Sequence, residues 1–261
     1  MALQAIPLPE SWSVRPDSLD GRVIMITGAY GGLGRATAHA CTHAGASVVL
    51  GGRKVRALET LYDEVKALGR AEPAILPLDL AGASPADYDT VIEALHNGFG
   101  RLDGLVHAAA HFESLTPLAM KKPDDWLLDL QVNLTAPFLL TQACLPMLQA
   151  AEDSAVVFVL DDRQRLDRAH WNGYGVAKAG LERLASILHE ETDDSALRVH
   201  GILPAPMRTA LRRKAWFGED SMQLPSPEAT AEALVYLLTP EARPMRGALL
   251  DLRSTSWRTR G

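Results

Sequence analysis

The sequence predicts a single three-layer α/β domain built on a doubly wound parallel sheet, and three observations point there. Short apolar runs alternate with longer amphipathic stretches, a glycine-rich turn follows the first main run, and no linker, repeat or low-complexity segment divides the 261 residues. A strand buried on both faces reads as an unbroken apolar run, and parallel strands need helical crossovers, so this alternation favours one open sheet covered on both sides. With 47% hydrophobic residues the chain can bury a sizeable core.

Arg22 to Thr27 reads as the first strand and runs into glycines. Leu33 to Ala44 follows as a helix stopped by Gly45, since glycine reaches the left-handed conformation that ends helices. Ala46 to Leu50 then reads as strand, Val55 to Leu68 as helix before Gly69, and Ala74 to Leu78 as strand. Pro85 to Asn97 reads as a helix, with Ser84 as N-cap and Gly98 at its end. Leu102 to Ala109 is the next strand, Asp124 to Gln149 a long helix, and Ala155 to Leu160 a strand. Gly173 to Glu191 follows as helix and Leu197 to Leu203 as strand. After a polar, Arg-rich excursion come a helix from Pro227 to Leu238 and a last strand from Gly247 to Leu252. Residues 1–20, punctuated by prolines, read as an irregular arm ahead of a domain spanning 21–254.

A net charge of −6 argues against a footprint for nucleic acid or an anionic membrane. No apolar run is long enough to span a bilayer, and the first residues lack the charged start and apolar core of a signal peptide. A soluble, cytoplasmic protein acting on a small molecule is therefore expected. Cys41 and Cys144 each fall in an expected helix, which points to buried thiols rather than a disulfide. His39 and His43 have an i,i+4 metal spacing, but neither a third ligand nor an intervening Glu accompanies them, so no metal site is expected.

Chemistry concentrates in two places. Tyr174-Gly-Val-Ala-Lys178 puts a phenol and an ammonium on one face of a helix, where a nearby cation lowers a phenol's pKa toward acid/base use. Thr27-Gly28-Ala-Tyr-Gly31-Gly32-Leu33-Gly34 lies where the first strand meets the first helix, the place where phosphates meet a helix N-terminus. Arg53, after the second strand, suits the 2′-phosphate of NADP(H) in preference to NAD(H), or else is an ordinary solvated residue at a helix start. Asp79, after the third strand, either reaches the adenine amino group or caps the next turn.

The glycine turn, Asn133 in the long helix and the Tyr174/Lys178 pair, in that order, resemble the short-chain dehydrogenase/reductase family over about residues 20–252. The resemblance implies a Rossmann-type domain, often dimeric or tetrameric through its long central helices. Tyr174 would exchange a proton with the substrate while hydride passes to or from nicotinamide. Lys178 would hold the nicotinamide ribose and tune Tyr174, and Asn133 would position a water in a proton relay. Cofactor contacts would extend over Tyr30, Gly31, Leu33, Leu80, Ala108, Pro204 and Thr209. The runs Arg168 to Tyr174 and Met207 to Ala210 are similar to a bacterial branch of uncharacterised oxidoreductases.

Three departures qualify the match. Asp161 stands where the family usually has serine, Ala108-Ala109-Ala110 replaces Asn-Ala-Gly, and Pro204-Ala205 replaces Pro-Gly. An ionised Asp161 would raise the pKa of Tyr174, whereas a protonated one would donate a hydrogen bond. The exchange is similar to the pteridine reductase branch, in which Phe112 would stack on the pterin. The same departures also suit a catalytically impaired member that binds nucleotide or serves a structural role. Trp171 and Trp216 are further candidate substrate contacts. Trp171 suits an oligomer interface equally well, and residues 207–224 read either as a substrate lid carrying Arg208, Trp216 and Phe217 or as a plain surface excursion.

Overall fold

A computed structural model describes residues 3–9 and 12–253; residue 254, the last assigned to the domain, lies outside them. Its strands are β1 (Gln4–Ile6), β2 (Val23–Thr27), β3 (Ser47–Gly52), β4 (Ala74–Pro77), β5 (Gly104–His107), β6 (Ser154–Val159), β7 (Leu197–Leu203) and β8 (Ala248–Asp251). They form one sheet in the order β1-β8-β7-β6-β5-β2-β3-β4, parallel at every pairing. The central strands are mostly apolar and buried except at Val159, as a sheet covered on both faces requires. The expected fold class is the observed one.

Helices cover both faces. On one lie α1 (Gly32–His43), α2 (Val55–Lys66) and α9 (Glu228–Leu238), packed on Ile24, Ile26, Val48 and Val157. On the other lie α3 (Pro85–Phe99), α5 (Ala136–Ala150) and α7 (Asn172–Glu191), packed on Met25, Val49, Leu105 and Phe158, with α4 (Pro123–Leu130) against α7. The short helices α6 (Arg163–Leu166) and α8 (Ala210–Ala215) occur in stretches that the sequence marks as loop.

Three sequence expectations need correction. The irregular arm contains β1, which pairs with β8 from Gln4↔Ala248 to Ile6↔Leu250; Pro7 and Pro9 fall just past this strand, where a missing N–H disturbs no ladder bond. The long helix is interrupted by a wide turn over Gln131–Thr135, in which Ala136 N–H reaches back five residues to the Gln131 carbonyl. Pro137 lacks the N–H that would bond the Asn133 carbonyl, and its ring crowds that position, so the helix widens just before it. Finally, α3 runs through Gly98 and ends at Gly100, which has φ 68°. Its start is as expected: Asp87 Oδ2 accepts from the N–H and the hydroxyl of Ser84, each at 2.7 Å.

Cys41 and Cys144 are buried, and burial pushes both thiols up to about 12. His39 lies 3.3 Å from Glu64 in a pair between α1 and α2. Among the described residues no helix is long and apolar enough to cross a membrane. At the N-terminal edge of the sheet, opposite the site described next, Asp153 lies between Arg22 and Arg198, all three buried.

Candidate active site

The carboxyl ends of the strands open onto a cavity of about 400 Å³ that runs from the glycine turn to Tyr174. Gly28 has φ 64°, and a Cβ there would stand 2.7 Å from Ala109 Cα. A Cβ on Gly34 would run into the Gly28 carbonyl oxygen. Glycine is thus required at both places for the turn to close. Helix α1 starts behind Gly31 without a side-chain cap, and the first-turn N–H groups of a helix have no partners within it, so this start suits a pyrophosphate. Gly52 makes room for Tyr30, because a Cβ there would stand 2.7 Å from the Tyr30 ring. Arg53 is exposed beside them. Asp79 caps its own turn, accepting from Ala81 N–H at 3.1 Å, and also lines the cavity. Leu33, Leu80, Ala108, Pro204 and Thr209 complete the wall, so every expected cofactor contact borders one cavity.

At the other end the Tyr174 hydroxyl donates to Asp161 Oδ2 at 2.8 Å. Asp161 Oδ1 accepts from Asp162 N–H at 2.7 Å and pairs with Arg165 Nη2. Lys178 donates from Nζ to the Val159 carbonyl at 2.9 Å and lies 5.9 Å from the centre of the Tyr174 ring. Burial lowers Lys178 to about 8. Burial also raises Tyr174 well above its ordinary value; the charge of Arg165 opposes this, and Asp129 adds to it. The expectation that Lys178 draws the phenol downward is therefore corrected for the protein without ligand. Desolvation dominates, and the cation that favours the phenolate is Arg165.

Of the four expected catalytic residues, Tyr174, Lys178 and Asp161 line the cavity, and Asn133 sits behind it. The Asn133 carboxamide donates to the His111 and Asp129 carbonyls at 2.8 Å each and accepts from His111 N–H at 3.0 Å. These bonds tie the segment after β5 to the helix. Asn172, at φ 36°, precedes Tyr174 and is held through its carboxamide to the Thr116 carbonyl at 3.1 Å. That contact anchors the start of α7 and so the position of the phenol.

The expected substrate contacts separate. Trp216 lines the cavity, but Phe112 and Trp171 are buried behind Tyr174, with ring centroids 5.2 and 5.8 Å from its own. The stretch 207–224 folds partly as α8, capped by the Thr209 hydroxyl, which accepts from Arg212 N–H at 3.2 Å. Arg208 and Phe217 are exposed and do not reach the cavity. Arg165 is the residue missed by sequence reading. Its only sequence signal is i,i+4 spacing from Asp161 across a segment with no helical periodicity.

A family model for short chain dehydrogenase matches residues 22–219. The chain belongs to the short-chain dehydrogenase family. It is 30% identical to the uncharacterized oxidoreductase YciK of Escherichia coli over 91% of this chain and 94% of that one. A short chain dehydrogenase structure from Pseudomonas syringae is similar at 36% identity, with a TM-score of 0.87 and coverage of 92% of this chain and 98% of the other. One from Shigella flexneri 2a, solved in complex with NADP, is similar at 30% identity with a TM-score of 0.88, covering 92% and 100%. In this short-chain dehydrogenase the matched span runs from the first residue before β2 into the 207–224 stretch, and so contains both ends of the cavity. The chain is accordingly an oxidoreductase of that family.

Proposed function

We propose that the chain is an NADP(H)-dependent oxidoreductase that exchanges hydride between nicotinamide and a small carbonyl, imine or alcohol. The observation that carries this reading is that Tyr174 and Lys178 border the same cavity as the glycine turn and Arg53. The glycine turn and Arg53 would hold a dinucleotide along the cavity wall, which would supply or accept the hydride. Tyr174 delivers or takes the proton at its phenol oxygen. Asp161, in place of the usual serine, accepts the Tyr174 hydroxyl hydrogen and orients the phenol. Lys178 contributes its charge beneath the cofactor side of Tyr174, and Asn133 sets the wall opposite through the His111 backbone. Arg53 supplies a charge for a 2′-phosphate, and the NADP complex of the Shigella relative supports NADP binding.

Titration with NADPH and NADH, followed by a panel of ketones, cyclic imines and dihydropteridines assayed in both directions, tests the reading. NADPH is expected to bind at least about tenfold more tightly, and Arg53→Ala to erase the preference, as loss of a charge-assisted phosphate contact predicts. Tyr174→Phe is expected to abolish turnover while leaving NADPH binding intact; full turnover by that variant sinks the assignment. Commitment of the Tyr174 hydroxyl to a carboxylate favours a second reading, a nucleotide-binding member without catalysis, and NADPH binding with no turnover of any panel member is its signature. A pterin substrate gains nothing from Phe112, which is covered by Trp171 and Tyr174.

We also propose a homodimer or homotetramer. Leu118, Met120, Leu127, Phe138, Val176 and Ile187 are exposed apolar side chains on or beside α4, α5 and α7, the kind of surface a second copy covers.

A further inference from the structure

The substrate end of the cavity contains a guanidinium, that of Arg165, with a donor left without a partner among the described residues. Arg165 lines the cavity beside Asp161 and Tyr174, with its guanidinium carbon 5.6 Å from the Trp171 ring and 4.9 Å from that of Trp216. One nitrogen, Nη2, pairs with Asp161, whose two oxygens also receive the Tyr174 hydroxyl and Asp162 N–H. The Nε–H has no acceptor among the described residues and is itself closed off from solvent, while 28% of the side chain stays exposed. The exposed part of the side chain borders the cavity, where a ligand can meet the remaining donors of the guanidinium. Of the neighbouring cations, Arg212 is paired with Glu219 at 2.6 Å and Arg253 with Asp251 and Asp162 at 2.6 and 2.7 Å, while Lys178 donates to the Val159 carbonyl on the side where the resemblance places the nicotinamide ribose. The anionic groups of a dinucleotide belong at the far end, on the glycine turn and Arg53. Nothing in the cofactor therefore answers Arg165.

Building on the oxidoreductase reading above, we infer that the substrate carries a carboxylate or comparable anionic group, which Arg165 binds against the indole of Trp216. Arg165 has the required geometry, since a guanidinium presents several in-plane donors and can hold an internal and an incoming carboxylate at once. Trp216 supplies an apolar wall that excludes water from the pair, and Asp161 competes with the ligand for the same guanidinium.

Benzoate and its neutral isostere benzamide probe the site, with affinity read from calorimetry and from tryptophan fluorescence on the full chain, with and without NADPH. Benzoate is expected to bind at least about tenfold more tightly than benzamide, as a charge-assisted bond on a partly desolvated cation predicts. Arg165→Met is expected to erase that preference and Arg165→Lys to retain part of it, both with unchanged NADPH affinity as the control for folding. Asp161→Asn, which frees the guanidinium, is expected to tighten benzoate binding, a response that a purely structural Arg165–Asp161 pair does not produce. Equal binding of benzoate and benzamide by the unaltered protein, or no binding of either, overturns the inference even if NADPH binds. Failure of NADPH to bind, with the benzoate preference intact, overturns the oxidoreductase reading alone.

Discussion

Tyr174 and Lys178 show how far burial changes groups whose types are plain in the sequence. Lys178 is lowered by desolvation from 10.5 to about 8, so between these values the unfolded chain binds a proton that the folded chain does not. Stability therefore rises as pH climbs from 8 to 10.5, and the burden of the buried charge is complete below 8. Tyr174 acts in the opposite direction only above its ordinary value of 10. Denaturant melts of the cofactor-free protein across that window are expected to show the rise, and Lys178→Met to flatten it with a gain at neutral pH of at most about 3 kcal/mol. An unchanged slope in that variant would mean that Lys178 stays protonated in the fold. His107, stacked at 4.9 Å on Phe158 and lowered to about 3 by burial and then by Lys178, stays neutral throughout.

Among the elements, those with an unambiguous period were legible in sequence and those set by one residue were not. The apolar runs of β2, β3, β6 and β7 and the glycine stops after α1 and α2 follow from local chemistry, and their boundaries moved by a residue or two. The wide turn at Gln131–Thr135 was hidden because Pro137 is tolerated in a helix's first turn, and only the structure shows that a new turn begins there. Helix α6, which carries Arg165 into the cavity, is too short for any period to register. The cofactor wall was legible because it lies at strand ends, whereas the aromatic cluster behind Tyr174 depends on contacts between Phe112 and residues far along the chain. On α7, Val176 and Ile187 are 50% and 55% exposed, and Phe138 of α5 is 43% exposed. Double replacement Val176→Glu/Ile187→Glu is expected to yield a folded monomer in sedimentation experiments; an unaltered sedimentation coefficient would remove this face from any subunit contact.

Across the whole molecule, the two ends of the sheet do different work. The carboxyl ends hold the cavity, and the amino ends are tied by Asp153, which bonds Arg198 Nε at 3.0 Å and pairs with Arg22. Arg198 also reaches the Leu237 and Thr239 carbonyls at 2.8 and 3.2 Å, joining β6 and β7 to the end of α9. Asp153→Asn leaves two buried guanidiniums without a carboxylate and is expected to cost about 3–5 kcal/mol in chemical denaturation. NADPH affinity should survive under conditions where the variant folds, and its loss there would show that the two ends are coupled. The strand that sequence reading took for an irregular arm has a consequence for how the chain is made. Gln4 must find Ala248, so β1 leaves the ribosome ahead of the other described strands and waits for nearly all of them, and β8 arrives already needing a neighbour on each side. Closing that edge late leaves β1 as a latch, and a nascent chain halted before β8 holds a sheet that is finished at β4 and open at the other margin.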